Sequence, residues 1–225
     1  MTAVFVTSTG TDIGKTFVTA GLIRHFRNAV RAVDAIKPVV TGFDPAAAAN
    51  SDPGLLLAAL GRPALSDEIA RISPWRFHAA ASPDIAAQRE GRALDFNALV
   101  EFCRQAMAVR KTKLFIEGIG GIMVPLDARH TVLDWMTALR LPLILVAGSY
   151  LGTISHTLTA LHVLARRNLS TVVVVVSETP GSPVSLDETI ATISRFADSI
   201  EVVGLPRLPP GVDTHPTFER IANLL

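Results

Sequence analysis

The stretch Thr7-Ser8-Thr9-Gly10-Thr11-Asp12-Ile13-Gly14-Lys15-Thr16 follows a short apolar run, Ala3-Val4-Phe5-Val6, and leads into a helical pattern over 14–27. A strand, a loop of small residues, Gly-Lys-Thr and a helix together make a cradle for phosphate. Backbone N–H groups and the positive helix N-terminus receive anionic oxygens. The lysine reaches the outer phosphates and the threonine hydroxyl binds Mg²⁺. The strict pattern places a glycine where Thr9 stands; Gly10 lies one residue later and Ser8 one earlier. An ordinary helix N-terminus is the alternative reading. The position at the first strand–helix junction favours phosphate, and hence a nucleoside triphosphate.

Working outward, the 225 residues suffice for one α/β domain over 1–225 with a sizeable core. The formal net charge is +1, with no basic run to suggest nucleic acid and no acidic tail. The longest apolar stretches, 141–147 and 172–176, are strand-length and far short of a membrane span. No charged leader precedes the first strand. A single cysteine, Cys103, cannot form an internal disulfide, and it reads as packing on a helix. These features together predict a cytoplasmic protein without nucleic-acid or membrane partners.

Apolar, β-branched runs at 3–6, 32–36, 114–116, 143–147, 172–176 and 202–205 alternate with helical patterns near 14–27, 95–109, 131–140, 152–167 and 185–197. Strands apolar throughout are buried on both faces. They predict a mostly parallel sheet covered by helices on both faces, with ligands at the strands' C-terminal ends. The stretches 44–53 and 73–92 read as long loops with short helices, a length more often functional than idle.

Three charged residues fall at such ends. Lys37 follows the second strand in Ala35-Ile36-Lys37-Pro38-Val39-Val40-Thr41-Gly42, poorly placed for solvent and well placed to meet an anion beside the phosphate loop. A surface lysine is the alternative. Thr41, four residues on, has the hydroxyl to hold a substrate. Glu117 ends Leu114-Phe115-Ile116 and precedes Gly118-Ile119-Gly120-Gly121. An acid at a hydrophobic strand's tip is the usual second metal-binding element of phosphate-loop proteins, and the glycines let backbone approach a ligand. Asp52, in Asn50-Ser51-Asp52, reads equally as a helix N-cap or a metal ligand. Asp12 must face a metal or solvent, because a carboxylate inside the loop repels phosphate. The turn Gly148-Ser149-Tyr150-Leu151-Gly152-Thr153 opens a helix and offers a second anion site for a carboxylate. His25, His156 and His162 read as helix-surface or packed residues, with no metal cluster and no Ser-His-Asp order.

Taken in order, these pieces resemble the dethiobiotin synthetase family. Ile13-Gly14-Lys15-Thr16, Lys37-Pro38-Val39-Val40-Thr41, Asn50-Ser51-Asp52, Ser82-Pro83 with Gln88-Arg89-Glu90-Gly91-Arg92, and Glu117-Gly118-Ile119-Gly120-Gly121 match its segments across nearly the whole chain. Leu151-Gly152-Thr153-Ile154-Ser155-His156 resembles its Leu-Gly-x-x-Asn-His turn, and Gly204-Leu205-Pro206 its C-terminal Gly-x-Pro. The resemblance implies that 7,8-diaminononanoate, CO₂ or bicarbonate, and MgATP are consumed. A carbamate forms, attacks the γ-phosphorus, and the second amine closes a cyclic urea. It assigns catalysis to Thr11, Lys15 and Lys37, and Mg²⁺ to Thr16, Asp52 and Glu117.

By the same resemblance ATP meets Asp12, Ile13, Gly14, Lys15, Thr16, Phe17, Asp52, Glu117, Gly118, Ile119, Gly120, Ser177, Glu178, Pro206, Arg207 and Leu208. Thr41, Tyr150, Leu151, Gly152 and Thr153 meet the organic substrate, the last four from the partner of a homodimer whose site lies at the subunit interface.

Departures from the family pattern are Ser8 at the loop's first glycine, Asp84 after Ser82-Pro83, and Ser177-Glu178 for an Asn-containing pair that reads adenine. Arg207 replaces an aromatic and Tyr150 a lysine found in some relatives. Rival readings are a partitioning-type switch ATPase and the synthetase part of a cobyrinate-type amidotransferase. The first would carry an early second lysine in the loop and an amphipathic membrane tail, neither of which the sequence predicts. The second would continue into a domain with a nucleophilic cysteine.

Overall fold

The computed structural model describes residues 3–109, 112–209 and 211–225. Its first half runs β1 (Ala3–Ser8), α1 (Lys15–Asn28), β2 (Val33–Ile36), β3 (Val39–Val40), a 3₁₀ segment (Pro45–Asn50), α2 (Asp52–Ala59), α3 (Ser66–Ile72), β4 (Trp75–Arg76), α4 (Pro83–Arg89) and α5 (Phe96–Val109). The second half runs β5 (Lys113–Glu117), α6 (Val132–Leu139), β6 (Leu143–Gly148), α7 (Thr153–Arg166), β7 (Thr171–Ser177), α8 (Leu186–Ser194), β8 (Glu201–Leu205) and α9 (Pro216–Asn223).

Six strands form one sheet in the order β2-β5-β1-β6-β7-β8, every neighbouring pair parallel. The sheet is buried on both faces because alternate side chains go to two separate cores. Val4, Val6, Phe115, Ile144, Val146, Val173 and Val175 pack with Val18, Leu22 and Phe26 of α1 and Phe218 and Ile221 of α9. Phe5, Ile116, Leu143, Leu145, Val174 and Val176 pack on the opposite side with Leu99 and Cys103 of α5, Trp135 and Met136 of α6, and Leu161 and Leu164 of α7. Cys103 is thus core, with burial pushing its thiol up to about 12.

All six predicted strands and five predicted helices are present, with ends differing by at most three residues. The regions 44–53 and 73–92 carry the short helices expected of them, the 3₁₀ segment with the start of α2 and α4, and a strand that was not expected. Val39–Val40 pairs with Trp75–Arg76 in a second, two-stranded sheet, and α3 and α4 precede and follow Trp75–Arg76 in the chain. A short amphipathic helix, α9, which the sequence pattern did not predict, follows Val212. Its apolar residues Phe218, Ile221 and Ala222 are buried against α1 rather than offered outward. Among the described residues no helix is long and apolar enough to cross a membrane.

Candidate functional site

Because β1 lies between β5 and β6, the loops leaving β1, β2 and β5 meet at one end of the sheet. That end is where open parallel sheets bind ligands. The β1 loop closes on Gly14, the N-cap of α1, at φ 99°. This left-handed conformation suits glycine, and a Cβ there would stand 2.8 Å from the Ser177 hydroxyl. The close approach brings the start of α1 against the end of β7.

Ser8 is not part of the turn. It is the fully buried last residue of β1, so replacing glycine there leaves the loop's path undisturbed. Its Oγ lies 2.7 Å from the Gly10 carbonyl and 2.8 Å from the Gly120 carbonyl, and it accepts from Lys15 Nζ at 3.0 Å. A hydroxyl has one hydrogen, so it serves one carbonyl at a time. Ser8 therefore ties the phosphate loop to the glycine loop after β5 and holds Lys15 back along its own loop. Lys15 Nζ also donates to Gly10 O at 3.3 Å. Burial, then the charge of Lys37, pulls Lys15 down to about 8, with Glu117, Asp52 and Asp12 opposing.

Lys37 sits just past β2. Its backbone is pinned by its own N–H donating to Ile72 O at 3.0 Å and by Ser73 Oγ donating to its carbonyl at 2.6 Å. The side chain is only 2 % exposed. Its ammonium donates to Glu117 Oε1 at 2.7 Å and Gly118 O at 3.0 Å, and lies 3.0 Å from Asp52 Oδ2. Burial pulls its pKa down, but the charges of Glu117 and Asp52 and their hydrogen bonds outweigh that and hold it above the ordinary lysine value. The surface-lysine reading is excluded.

Glu117 is fully buried at the end of β5. Its Oε1 also accepts from Thr16 Oγ1 at 2.8 Å, while Oε2 has no hydrogen-bond partner among the described residues. Asp52 is the first residue of α2, and Ser51 is its N-cap, accepting from Gly54 N at 3.3 Å. The cap reading of Asp52 is thereby corrected: its carboxylate is left for the site, 43 % exposed. Burial raises the Asp52 pKa, but Lys37, a Thr16 hydrogen bond and Lys15 together bring it below the usual carboxylate value.

Thr11, Lys15, Thr16, Lys37, Thr41, Asp52, Ile119 and Gly120 line one cavity of about 320 Å³. Asp12, at φ 57°, is exposed, so its carboxylate has solvent beside it. A neighbouring cavity of about 580 Å³ brings Asp12, Ile13, Gly14, Thr16 and Phe17 to Ser177, Glu178, Pro206, Arg207 and Leu208. Arg24 and Asp213, which the sequence reading missed, pair at 3.1 Å and line the same cavity. The signal was available: Phe17, Ala20 and Arg24 recur at helical spacing on the face of α1 that faces the loop.

The turn 148–153 lines neither cavity. Ser149 N donates to Thr179 Oγ1 at 3.1 Å and Thr153 N to Tyr150 O at 3.0 Å. Among the described residues the N–H groups of Leu151 and Gly152 have no partner. The Tyr150 hydroxyl meets exposed His156 Nδ1 at 2.8 Å. No group of three or more His, Cys, Asp or Glu among the described residues is arranged to hold a metal. The oxygens that converge are one hydroxyl and two carboxylates, a set that suits a hard cation completed by substrate oxygens.

Known proteins bear on this geometry in two ways. A family model described as an AAA domain matches residues 2–213. The ATP-dependent dethiobiotin synthetase BioD of Methylobacterium nodulans is 48 % identical over 203 residues, covering 88 % of this chain and 90 % of the relative. The proteins of the same name from Acidiphilium cryptum and Caulobacter vibrioides are each 46 % identical, over 87 % and 92 % of this chain and 88 % and 93 % of their own. Among solved structures, a ParA family ATPase from Chlorobium tepidum matches with TM-score 0.55 at 14 % identity, covering 98 % of this chain and 97 % of that one. The MinD cell division protein of Aquifex aeolicus matches with TM-score 0.52 at 11 % identity, covering 93 % and 84 %. These structural likenesses give the phosphate-loop fold alone. The sequence relatives disfavour the switch-ATPase reading.

Proposed function

The chain belongs to the dethiobiotin synthetase family, and from that premise we propose that it joins CO₂ to 7,8-diaminononanoate and closes a cyclic urea at the expense of MgATP. The observation that carries this reading is the convergence of Lys15, Lys37, Thr16 and Asp52 on one cavity beside Thr11 and Thr41, with buried Glu117 bonded to Thr16 and Lys37 beneath it. An amine of the substrate captures CO₂ as a carbamate, whose oxygen attacks the γ-phosphorus and releases ADP. The second amine then attacks the carbamoyl carbon of the mixed anhydride, and phosphate leaves.

Each residue has a task that its surroundings support. Lys37, kept charged between two carboxylates, faces the carbamate and the transferring phosphoryl group. Lys15 must leave Ser8 and Gly10 to reach the phosphates. Thr11 and Thr41 orient the carbamate. No side chain acts as nucleophile; positioning and charge stabilisation suffice for phosphoryl transfer. Thr16, Asp52 and Glu117 would hold Mg²⁺, and the partnerless buried Oε2 of Glu117 supports that assignment. When bound, the ion neutralises charge on the outer phosphates.

We propose further that 1–225 acts as one domain in the cytoplasm. Two protomers would form a homodimer, the 148–153 turn of one receiving the substrate carboxylate in the other's site. The N–H groups of Leu151 and Gly152, without partners among the described residues, and the turn's absence from its own chain's cavity support this.

Phosphate release from MgATP is expected to require diaminononanoate and bicarbonate together. Lys37→Ala should lower turnover by about a thousandfold or more while circular dichroism stays unchanged. Release that ignores both substrates would sink the reading.

A further inference from the structure

The segment Gln88-Arg89-Glu90-Gly91-Arg92 has no task in the proposed reaction. In the fold its Arg92 lines another cavity, of about 380 Å³, to which the 3₁₀ segment, α3 and β4 also contribute. No residue of this cavity lines either of the two described above. Its apolar walls include the buried side chains of Phe43, Ile69 and Phe77. Its ionisable lining is Arg76, exposed His78 and Arg92, with no aspartate or glutamate.

Both guanidiniums keep donors to spare. Glu90 is largely taken up by backbone: its Oε1 accepts from the N–H groups of His78 at 2.6 Å and Ala79 at 3.4 Å. Its Oε2 accepts from Arg92 Nη1 at 3.1 Å, and the same Nη1 donates to Arg76 O at 2.7 Å. Arg76 Nη1 donates to Ser73 O. Among the described residues the Nε and Nη2 groups of both arginines have no partner, and no carboxylate pairs with Arg76. Arg92 lies over the Phe77 ring, its Cζ 4.6 Å from the ring centre, and Arg76 over Phe43 at 5.7 Å. Stacking leaves the in-plane N–H groups open, the edge that receives a carboxylate in two parallel bonds. Burial, then the charge of Arg92, pull the Arg76 pKa below the ordinary arginine value, so the pair is short of negative charge as it stands.

We propose that this cavity is a further anion site, separate from the phosphate loop and from the turn 148–153, and that it takes an organic carboxylate on a compact apolar body. Arg76 and Arg92 supply charge-assisted bonds to the carboxylate, and Phe43, Ile69 and Phe77 receive the apolar part. Benzoate is the probe; benzamide, equal in shape and uncharged, is its control. With MgADP and diaminononanoate both saturating, an NMR titration should still show benzoate binding, tighter than benzamide by about tenfold or more. Arg76→Met and Arg92→Met should each weaken benzoate by about tenfold and leave benzamide within about twofold.

Equal affinity for benzoate and benzamide overturns the proposal, as does benzoate that MgADP and diaminononanoate displace. Wild-type affinity for benzoate in Arg92→Met also overturns it. That position is exposed and its loss spares the Arg76 bond to Ser73, so the test stands even where Arg76→Met fails to fold. Benzoate binding is read without turnover, so its outcome is independent of the proposed reaction.

Discussion

At the scale of single residues, the site is a contest between burial and pairing for two lysines. Lys37 has two carboxylates and stays charged; Lys15 has a hydroxyl and a carbonyl and is held near 8. A polyphosphate arriving at Lys15 supplies the missing counter-charge and raises its pKa. Free pKa near 8 and bound pKa above it means that nucleotide binding takes up a proton at and just above pH 8. The uptake fades below about pH 7, where Lys15 is already charged, and affinity falls as pH climbs past the free value. Calorimetry at about pH 8.5 in two buffers of different ionisation enthalpy should show the uptake, and Lys15→Met should abolish it. No uptake in the wild type would contradict the assigned state of Lys15. At this scale the sequence was legible where chemistry sits at the end of an apolar run, as with Lys37 and Glu117. It was not legible for Ser8, whose role depends on the Gly120 carbonyl brought from 112 positions away. Nor was it legible for Asp52, because Asx and Ser residues compete for the same cap and only the fold shows that Ser51 took it.

Among elements, α1 carries the most obligations: the phosphate loop at its start, the sheet on one side and α9 on another. Gly21 lies in the middle of this helix, where glycine costs about 1 kcal/mol relative to alanine. A Cβ there would stand 2.1 Å from the Phe218 ring of α9, and Phe17 of α1 meets the same ring edge-on at 6.3 Å. The glycine exists to admit that ring. Gly21→Ala should therefore destabilise by about 1–3 kcal/mol through overpacking, despite the better helix former. A urea titration reads the shift in midpoint, and a more stable variant would show that α9 can move aside without loss. The α9 helix was unread in the sequence because its eight residues follow a proline-rich stretch and its apolar face is short. The two-stranded sheet was unread because each strand has two residues and the pairing joins Val39 to Trp75; periodicity needs longer runs. The six main strands were legible because strands buried on both faces are apolar throughout.

For the whole molecule, the strand order decides which loops can meet. With β1 between β5 and β6, the ends of β1, β2 and β5 share one cavity, while the turn after β6 opens elsewhere. On the proposed two-fold dimer, each site takes its lysines from one protomer and that turn from the other. Gly152→Asp forces a side chain into φ 98° and places a carboxylate at the turn. It should be inactive alone, as should Lys37→Ala. Co-expressed, the two should recover activity, because each mixed dimer has one intact site: about a quarter of wild-type sites on random assembly. Purified mixed dimers without activity would rule out exchange of turns between subunits. Finally, on the proposed Mg²⁺ site the Lys37 ammonium between Glu117 and Asp52 would be a tethered understudy for the divalent ion. The two acids carry their counterion in the covalent chain, so on that reading the molecule would fold and stand ready without magnesium. Metal would then arrive as a working visitor, unlike the ion of small metal-dependent domains, whose removal takes the fold with it.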